Sequence, residues 1–151
     1  MAQSLSKIYI HLIFHIKTTG PTIRDAELQR VHSYIGQLVN TTGCRVMRVG
    51  GTGDHVHILF LLSKTVCVSN VVEEVKRNSS RWIKSIDPYY GKFEWQCGYG
   101  VFSVSQSVVD KTMQYIRQQR EHHQRRSFKD EYRDFLRLYN IEYDEKYVFS
   151  D

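Results

Sequence analysis

An apolar segment with strict alternation near the amino terminus is the feature that most constrains the fold of this chain. Residues 7–17 read KIYIHLIFHIK, and successive side chains of a β-strand point to opposite faces. One face of such a strand carries a fully apolar row: Ile8, Ile10, Leu12, Phe14 and Ile16. The other face carries His11 and His15 beside Tyr9 and Ile13. The pattern therefore predicts a half-buried strand whose histidines lie on the more polar side.

Apolar periodicity and turn residues predict the remaining elements. Expected helices cover residues 24–40, from Ser69 or Asn70 to about 85, from Ser105 or Ser107 to about 122, and a short segment opened by Ser127. Expected strands cover residues 44–49, 55–62 and part of 93–105, with residues 50–53 as a turn. The order is β-α-β-β-α-β followed by extra carboxyl-terminal helices. It predicts a ferredoxin-like (RRM-like) α+β fold, in which an antiparallel sheet carries two helices on one face.

Size and composition indicate one globular domain. The chain has 151 residues, of which 41% are hydrophobic and 25% charged, and it contains no linker or internal repeat. We expect a core of about residues 1–125 and a helical extension over residues 126–151. No apolar run approaches the roughly 20 residues of a membrane helix. The sequence therefore predicts no membrane association.

The charge and the cysteines restrict the environment of the protein. A net charge of +5 and a pI near 9.1 suit a polyanionic partner without requiring one. The three cysteines, Cys44, Cys67 and Cys97, are odd in number and form no Cys-x-x-Cys pair. This usage indicates reduced thiols in a cytoplasmic protein rather than a disulfide or zinc framework.

A pair of histidines is the first candidate for chemistry. His55 and His57 follow the glycine-rich turn GTGD and open an apolar strand. Because strand side chains alternate, both imidazoles point to the same face, which is the geometry for holding one metal ion. The chain has seven histidines, so a pair two positions apart also arises by chance. The pair alone therefore neither establishes nor excludes a metal site.

A second pair lies on the predicted third helix. Tyr115 and Gln119 are four residues apart in YIRQQREHH and therefore neighbours on one helical face. Such a pair places a hydroxyl nucleophile beside a side-chain carbonyl that can bind a metal. Pairs with this spacing occur on every helix, so a half-buried tyrosine beside a solvated glutamine is the simpler interpretation of this pair alone.

Taken together, the ordered motifs resemble one family. The segments GDHVHILFLL, NSSRW, WQCGYGVFSVS and YIRQQREHH resemble those of single-tyrosine HUH transposases, where HUH denotes histidine, hydrophobic residue, histidine. The first strand LSKIYIHLIFHIK is similar to that of the family, and the segment SFKDEYRDFLRLYNIEYDEKYVF resembles the tail of its REP-associated branch. The resemblance covers nearly the whole chain.

The resemblance implies roles for four residues. His55 and His57 match the paired metal ligands, Gln119 matches the third ligand, and Tyr115 matches the nucleophile. It implies a DNA transposase that cuts and rejoins single-stranded DNA at hairpin or palindromic ends through a covalent 5′-phosphotyrosine. Imidazole favours Mn²⁺ and availability favours Mg²⁺, so we expect one of these two ions.

The resemblance also implies partners. Members of the family are commonly homodimers in which the tyrosine helix of one subunit serves the histidines of the other, although the sequence does not choose between this arrangement and a site within one chain. Basic side chains on the second helix and around the tyrosine are candidates for contact with DNA, and a solvated helix face is the competing interpretation. They are Arg77, Arg81, Lys84, Arg117, Arg120, Arg125 and Arg126.

Three further points remain open from the sequence. Asp54 either orients an imidazole or shapes the turn, and His122 and His123 are expected to be a polar helix end rather than ligands.

A nucleic-acid-binding module without catalysis is one alternative function, since small ferredoxin-like sheets bind RNA through surface aromatics. A metal-dependent phosphodiesterase that uses water is the other.

Overall fold

Four antiparallel strands form the centre of the molecule. In this computed structural model, residues 2–150 are described. The strands are β1 (Tyr9–His15), β2 (Arg45–Thr52), β3 (His55–Leu61) and β4 (Gly100–Val104). The helices are α1 (Asp25–Thr41), α2 (Val68–Ile86), α3 (Val109–Arg117), α4 (Gln119–His122), α5 (Phe128–Leu138) and α6 (Glu145–Val148).

The strand order is that of a ferredoxin-like sheet. The strands lie in the order β2-β3-β1-β4, and all pairs are antiparallel. In the register of β1 with β3, Ile13 lies opposite His57 and His15 lies opposite His55. Because opposed residues of an antiparallel pair share a face, all four side chains point to the same side of the sheet. The predicted fold class is confirmed.

Helices α1 and α2 cover one face of the sheet, as the sequence predicts. The apolar row of β1 packs there against the inner residues of both helices, and the group includes Leu12, Phe14, Val31, Ile35, Val39, Val71 and Val75. Each of these side chains is fully or almost fully buried. This layer is the main hydrophobic core.

The second face of the sheet is also covered, and here the expectation of a half-buried β1 is wrong. All seven residues of β1 are buried, His11 and His15 included. Helix α5 packs Phe128, Tyr132 and Leu136 over this face, while α3 packs Val109 and Ile116 over another part of it. The sequence pattern of β1 describes only one strand, so it does not reveal that distant helices return to cover its polar side.

The boundaries differ from the expectation at two strands. Strand β2 extends through Thr52, so the turn is confined to Gly53 and Asp54 rather than residues 50–53. Strand β2 passes close to the backbone of Ile116 at position 50. Only glycine fits there, because a Cβ atom would lie 2.3 Å from the backbone oxygen of Ile116. In the region 93–105, only Gly100–Val104 is a strand, with an isolated bridge between Ile16 and Trp95 before it.

The helix starts differ as well. Helix α2 begins at Val68, with Cys67 at its N-cap and no side-chain capping bond, so neither Ser69 nor Asn70 caps it. The predicted helix over residues 105–122 is a 3₁₀ turn followed by α3 and α4, which are separated at Gln118. Ser127 caps α5 as predicted, since its side chain accepts a hydrogen bond from the backbone N–H of Asp130.

Across residues 2–150, every helix is too short or too polar to cross a bilayer.

Candidate active site

The paired histidines lie on β3 with both rings on the face covered by α3 and α5. Their side chains are buried, with His55 1% and His57 0% exposed. The two ring centroids are 5.1 Å apart. The alternation of the strand therefore delivers the arrangement that the sequence predicts, two imidazoles facing one point.

Tyr115 and Gln119 reach the same point from the α3–α4 junction. Gln119 is buried, and its Oε1 lies 2.8 Å from Nε2 of His55. The ring of Tyr115 lies 5.9 Å from that of His57, measured between centroids. The helical break at Gln118 leaves both side chains directed at the histidines. All four residues that the resemblance singles out are thus brought together within one chain.

A fifth residue, Glu131 of α5, sits in the middle of this group. Its Oε1 lies 3.1 Å from Nε2 of His57 and 3.6 Å from Nε2 of His55. Its Oε2 accepts hydrogen bonds from the hydroxyl of Tyr115 and, at 2.9 Å, from Nε2 of Gln119. The carboxylate is buried, with 6% of Glu131 exposed, so it bridges the imidazoles and the tyrosine away from solvent.

Sequence reasoning missed Glu131, although a signal was present. The apolar stripe of α5 consists of Phe128, Tyr132, Phe135 and Leu136, and Glu131 falls within the same arc of the helix, three residues after Phe128. A charged residue on the buried stripe of a helix requires a partner inside the protein. That mismatch indicates a polar site under α5.

The buried acids and bases form a donor set suited to a divalent cation. The candidate ligand atoms of His55, His57 and Glu131 all lie within 4.8 Å of one another. Two imidazole nitrogens and a carboxylate oxygen are ligands for Mn²⁺ and related ions. The carbonyl oxygen of Gln119 faces the same point. The residues present therefore fit a metal ion, with Glu131 added to the three ligands that the resemblance implies.

Further hydrogen bonds fix the orientation of each imidazole. Asp54 Oδ1 lies 2.7 Å from Nδ1 of His55, and Nε2 of His11 lies 2.8 Å from Nδ1 of His57. A partner on the second ring nitrogen holds a histidine in the orientation needed for metal binding. His123 also reaches the site, with Nε2 3.0 Å from Oε1 of Glu131. His123 therefore contacts the carboxylate of Glu131 and is not the solvated polar helix end that the sequence predicts.

The protonation states follow from burial and from these contacts. Burial lowers the pKa of His57 to about 4, so its ring is neutral near pH 7. Burial alone would raise the pKa of Asp54, but the hydrogen bonds to His55 and Thr52, together with the charges of His55 and His123, outweigh it and lower that pKa to about 2. Burial, followed by the charge of Glu131, raises the pKa of Tyr115 above its usual value. The tyrosine is therefore a neutral phenol beside an ionised carboxylate.

The site opens to a cavity of about 790 Å³ between α4 and α5. Tyr115 and Glu131 line it on the side of the histidines, while Phe135 and Leu138 supply apolar wall. A reactant that approaches Tyr115 has room to enter through this cavity. It is large enough for a nucleotide-sized group.

The seven basic residues predicted to contact DNA do not form one surface. Arg125 and Arg126 line the cavity at Tyr115, whereas Arg117 and Arg120 line a different cleft. Arg77, Arg81 and Lys84 lie on α2, which packs on the opposite face of the sheet. Arg77 is already paired there with Glu73 and Glu74, at 3.3 and 2.7 Å.

Comparisons with known proteins show the family and the fold of the chain. Residues 4–119 match the family model described as "Transposase IS200 like". No curated protein matches the chain. A proposed transposase from Deinococcus radiodurans R1, solved at 1.90 Å resolution, has 22% identical residues and a TM-score of 0.60 over 79% of this chain and 98% of its own. A REP-associated tyrosine transposase bound to a REP hairpin has 11% identical residues and a TM-score of 0.59 over 82% of this chain and 74% of its own. At these identities, both structures show a shared fold.

Proposed function

The chain belongs to the family of IS200-like transposases, and from this premise we propose that it cuts and rejoins single-stranded DNA through a covalent bond between Tyr115 and a 5′-phosphate. The observation that supports the proposal is the convergence of Tyr115 with His55, His57 and Gln119 in one buried site. Four residues chosen from the sequence for transposase chemistry meet there. Chance spacing of histidines and a tyrosine does not account for that meeting.

In the proposed step, the phenol oxygen of Tyr115 bonds to phosphorus while the bond from phosphorus to the 3′-oxygen of the neighbouring nucleotide breaks. The departing oxygen takes up a proton and becomes a 3′-hydroxyl. The proton of the phenol has an acceptor at hand, because the Tyr115 hydroxyl donates a hydrogen bond to Glu131. Reversal of the step rejoins the strand without ATP, since the phosphodiester energy stays in the tyrosyl bond.

We propose that a divalent cation, Mg²⁺ or Mn²⁺, is held by His55 and His57 together with Gln119 or Glu131. When bound, it would polarise the scissile phosphate and offset the negative charge that develops on its oxygens. Asp54 and His11 would keep the two imidazoles pointed at it, through the hydrogen bonds to their second nitrogens. Helix α5, which covers the histidines, would shield that side of the site from bulk water.

We further propose that the partner is single-stranded DNA with a hairpin. The REP-associated tyrosine transposase with the same fold is bound to a REP hairpin, which supports this choice. Because Tyr115 contacts His57 of its own chain, with ring centroids 5.9 Å apart, we infer that a single chain completes its own site. The homodimer and the cytoplasmic location stay predictions. We also propose that the extension over residues 126–151 is part of the catalytic unit, since it contributes Glu131.

A covalent adduct tests this function. The protein is incubated with a hairpin-bearing single strand and Mn²⁺, and the products are separated under denaturing conditions. We expect a protein–DNA adduct that is lost in Tyr115→Phe and kept in Tyr99→Phe, whose exposed ring lies outside the site. An adduct that persists in Tyr115→Phe would overturn the nucleophile. Cleavage without an adduct would indicate a water-using phosphodiesterase, and binding without cleavage a non-catalytic module.

A further inference from the structure

We propose that a cleft on the side of β2, lined by Arg48, Arg117 and Arg120, binds the phosphodiester backbone of the DNA substrate. This arginine cleft has a volume of about 280 Å³ and lies between α1, β2 and the α3–α4 junction. The inference rests on the proposed function in one respect, that the polyanionic partner is DNA. It assigns a location and a set of residues to backbone binding that is separate from the cavity at Tyr115.

Three elements meet to form the arginine cleft. Strand β2 carries Arg48, α3 ends with Arg117, and α4 carries Arg120. The glycine at position 50 lets β2 approach α3 closely, because any Cβ there would collide with the backbone of Ile116. The arginines are therefore brought together by backbone packing, and each of the three is exposed.

Charge distinguishes the arginine cleft from the cavity at Tyr115. Three guanidinium groups of the cleft face a single lining carboxylate, that of Asp25. In the cavity at Tyr115, two arginines face three carboxylates, and Arg126 is paired with Asp134 at 2.5 Å. A DNA backbone carries one negative charge per phosphate and is attracted to a concave surface with excess positive charge. Of these two openings, only the arginine cleft has such an excess.

The guanidinium groups are available for a ligand. Within residues 2–150, Arg48 and Arg117 form no ion pair. Arg120 pairs with Asp25 at 2.7 Å, with the side chains 67% and 76% exposed. Exposed pairs of this kind contribute little to stability, so a phosphate can take the place of the carboxylate. Guanidinium groups also bind phosphate oxygens through two parallel hydrogen bonds.

The arginine cleft lies next to the active site. Gly50, which lines it, is opposite His57 in the register of β2 with β3. Arg117 follows Tyr115 by two residues on the same helix, so the two side chains point to opposite sides of that helix. A strand held in the cleft would therefore pass beside the tyrosine helix, with its scissile phosphate free to enter the less positive cavity. In this arrangement the arginine cleft binds the DNA backbone, and cleavage takes place in the cavity at Tyr115.

The test is fluorescence anisotropy with a labelled hairpin-bearing single strand, in a Tyr115→Phe background that prevents cleavage. Arg48→Ala and Arg117→Ala are compared with Arg45→Ala, which removes the same charge from an exposed position of the same strand β2 outside the cleft. We expect each cleft variant to weaken binding about three- to tenfold and the double variant more than tenfold. The slope of log affinity against log salt should fall by about 0.7 for each phosphate of the single strand that a variant no longer binds.

Two further results decide the inference. Arg48→Lys should recover much of the affinity that Arg48→Ala removes, because it restores the positive charge, and thermal unfolding of each variant identifies any loss of fold. Equal effects of Arg48→Ala and Arg45→Ala in folded proteins would overturn the arginine cleft. If the effects are equal and the wild-type protein still forms the Tyr115 adduct, the proposed function is supported and the arginine cleft is rejected. If it forms no adduct but the cleft variants bind more weakly than Arg45→Ala, the cleft stands and the function fails.

Discussion

At the scale of single residues, Glu131 is the group that ties the site together. Its two oxygens face different neighbours: Oε1 faces the imidazoles of His57 and His123, and Oε2 faces Tyr115 and Gln119. One carboxylate thus contacts both the candidate metal ligands and the candidate nucleophile. Burial alone would raise the pKa of Glu131, but the hydrogen bonds from His123, His57 and Tyr115 and the charge of His57 together hold it far below its usual value. Glu131 is therefore ionised at any pH near neutrality.

Substitution of Glu131 separates its charge from its shape. We expect Glu131→Gln to weaken Mn²⁺ binding about tenfold or more, because an anionic oxygen ligand is replaced by a neutral amide. Titration calorimetry or the electron paramagnetic resonance signal of free Mn²⁺ measures the change. Glu121→Gln is the matched control, since Glu121 is exposed and lines the same cavity. Equal Mn²⁺ affinity in the two variants would exclude Glu131 as a ligand.

The contrast between the histidines and Glu131 shows what a sequence can reveal about a site. His55 and His57 share a face through strand geometry alone, and Tyr115 and Gln119 share one through helical spacing, so both pairs are predictable. Glu131 meets His57 across 74 positions of sequence. That contact depends on how α5 docks on the sheet, and local periodicity contains no information about docking.

At the scale of elements, α5 has two functions that depend on one stripe of side chains. Its buried residues complete the second layer of the molecule, and the same packing directs Glu131 inward. Phe128 also stacks on the ring of His55, with centroids 4.4 Å apart. The stability of this helix and the geometry of the site are therefore linked.

A pair of leucines on α5 tests that link. Leu136 is buried, whereas Leu138, on the same helix, is 75% exposed. We expect Leu136→Ala to lower the free energy of unfolding by about 2–5 kcal/mol and to weaken Mn²⁺ binding through the displaced Glu131. Leu138→Ala should change either quantity little, by roughly 0.5 kcal/mol in stability. Denaturant unfolding and Mn²⁺ titration measure both. Unchanged Mn²⁺ affinity in a destabilised Leu136→Ala would show that α5 does not position the ligand.

The elements themselves were predictable to different degrees. The alternating strands and the amphipathic α1 and α2 follow from periodicity, and Ser127 marks the start of α5 through its capping side chain. The break at Gln118 has no signal, because neither proline nor glycine stands there. The extension of β2 through Gly50 depends on close contact with Ile116, a tertiary effect that overrides the turn preference of glycine.

At the scale of the whole molecule, buried histidines couple the fold to pH. Burial, and to a lesser extent the charges of His55 and His57, lower the pKa of His32 to about 4. On acidification, His32 of the unfolded chain binds a proton near pH 6.5, whereas His32 of the folded chain stays neutral until about pH 4. Stability is therefore unaffected by this group above pH 6.5 and declines as the pH falls through this window, by up to about 1.4 kcal/mol per unit of pKa difference.

His32→Gln provides the measurement. We expect the wild-type free energy of unfolding to decrease more steeply than that of the variant between pH 6.5 and pH 4. Denaturant unfolding at four or five pH values in this range records both curves. The two curves should run parallel above pH 7, where the ring is neutral in both states. Parallel curves throughout the acidic range would show that His32 titrates normally in the folded protein.

The distance in sequence between β3 and α5 also means that the imidazoles and the carboxylate of the site come from separate parts of the chain. Pairings that close long loops form late, because the chain must give up the entropy of loop closure before the pairing can stabilise it. A chain that has formed only its sheet would carry the imidazoles but not yet the carboxylate of Glu131. The complete group of imidazoles, tyrosine and carboxylate would then be present only after α5 has docked on the sheet.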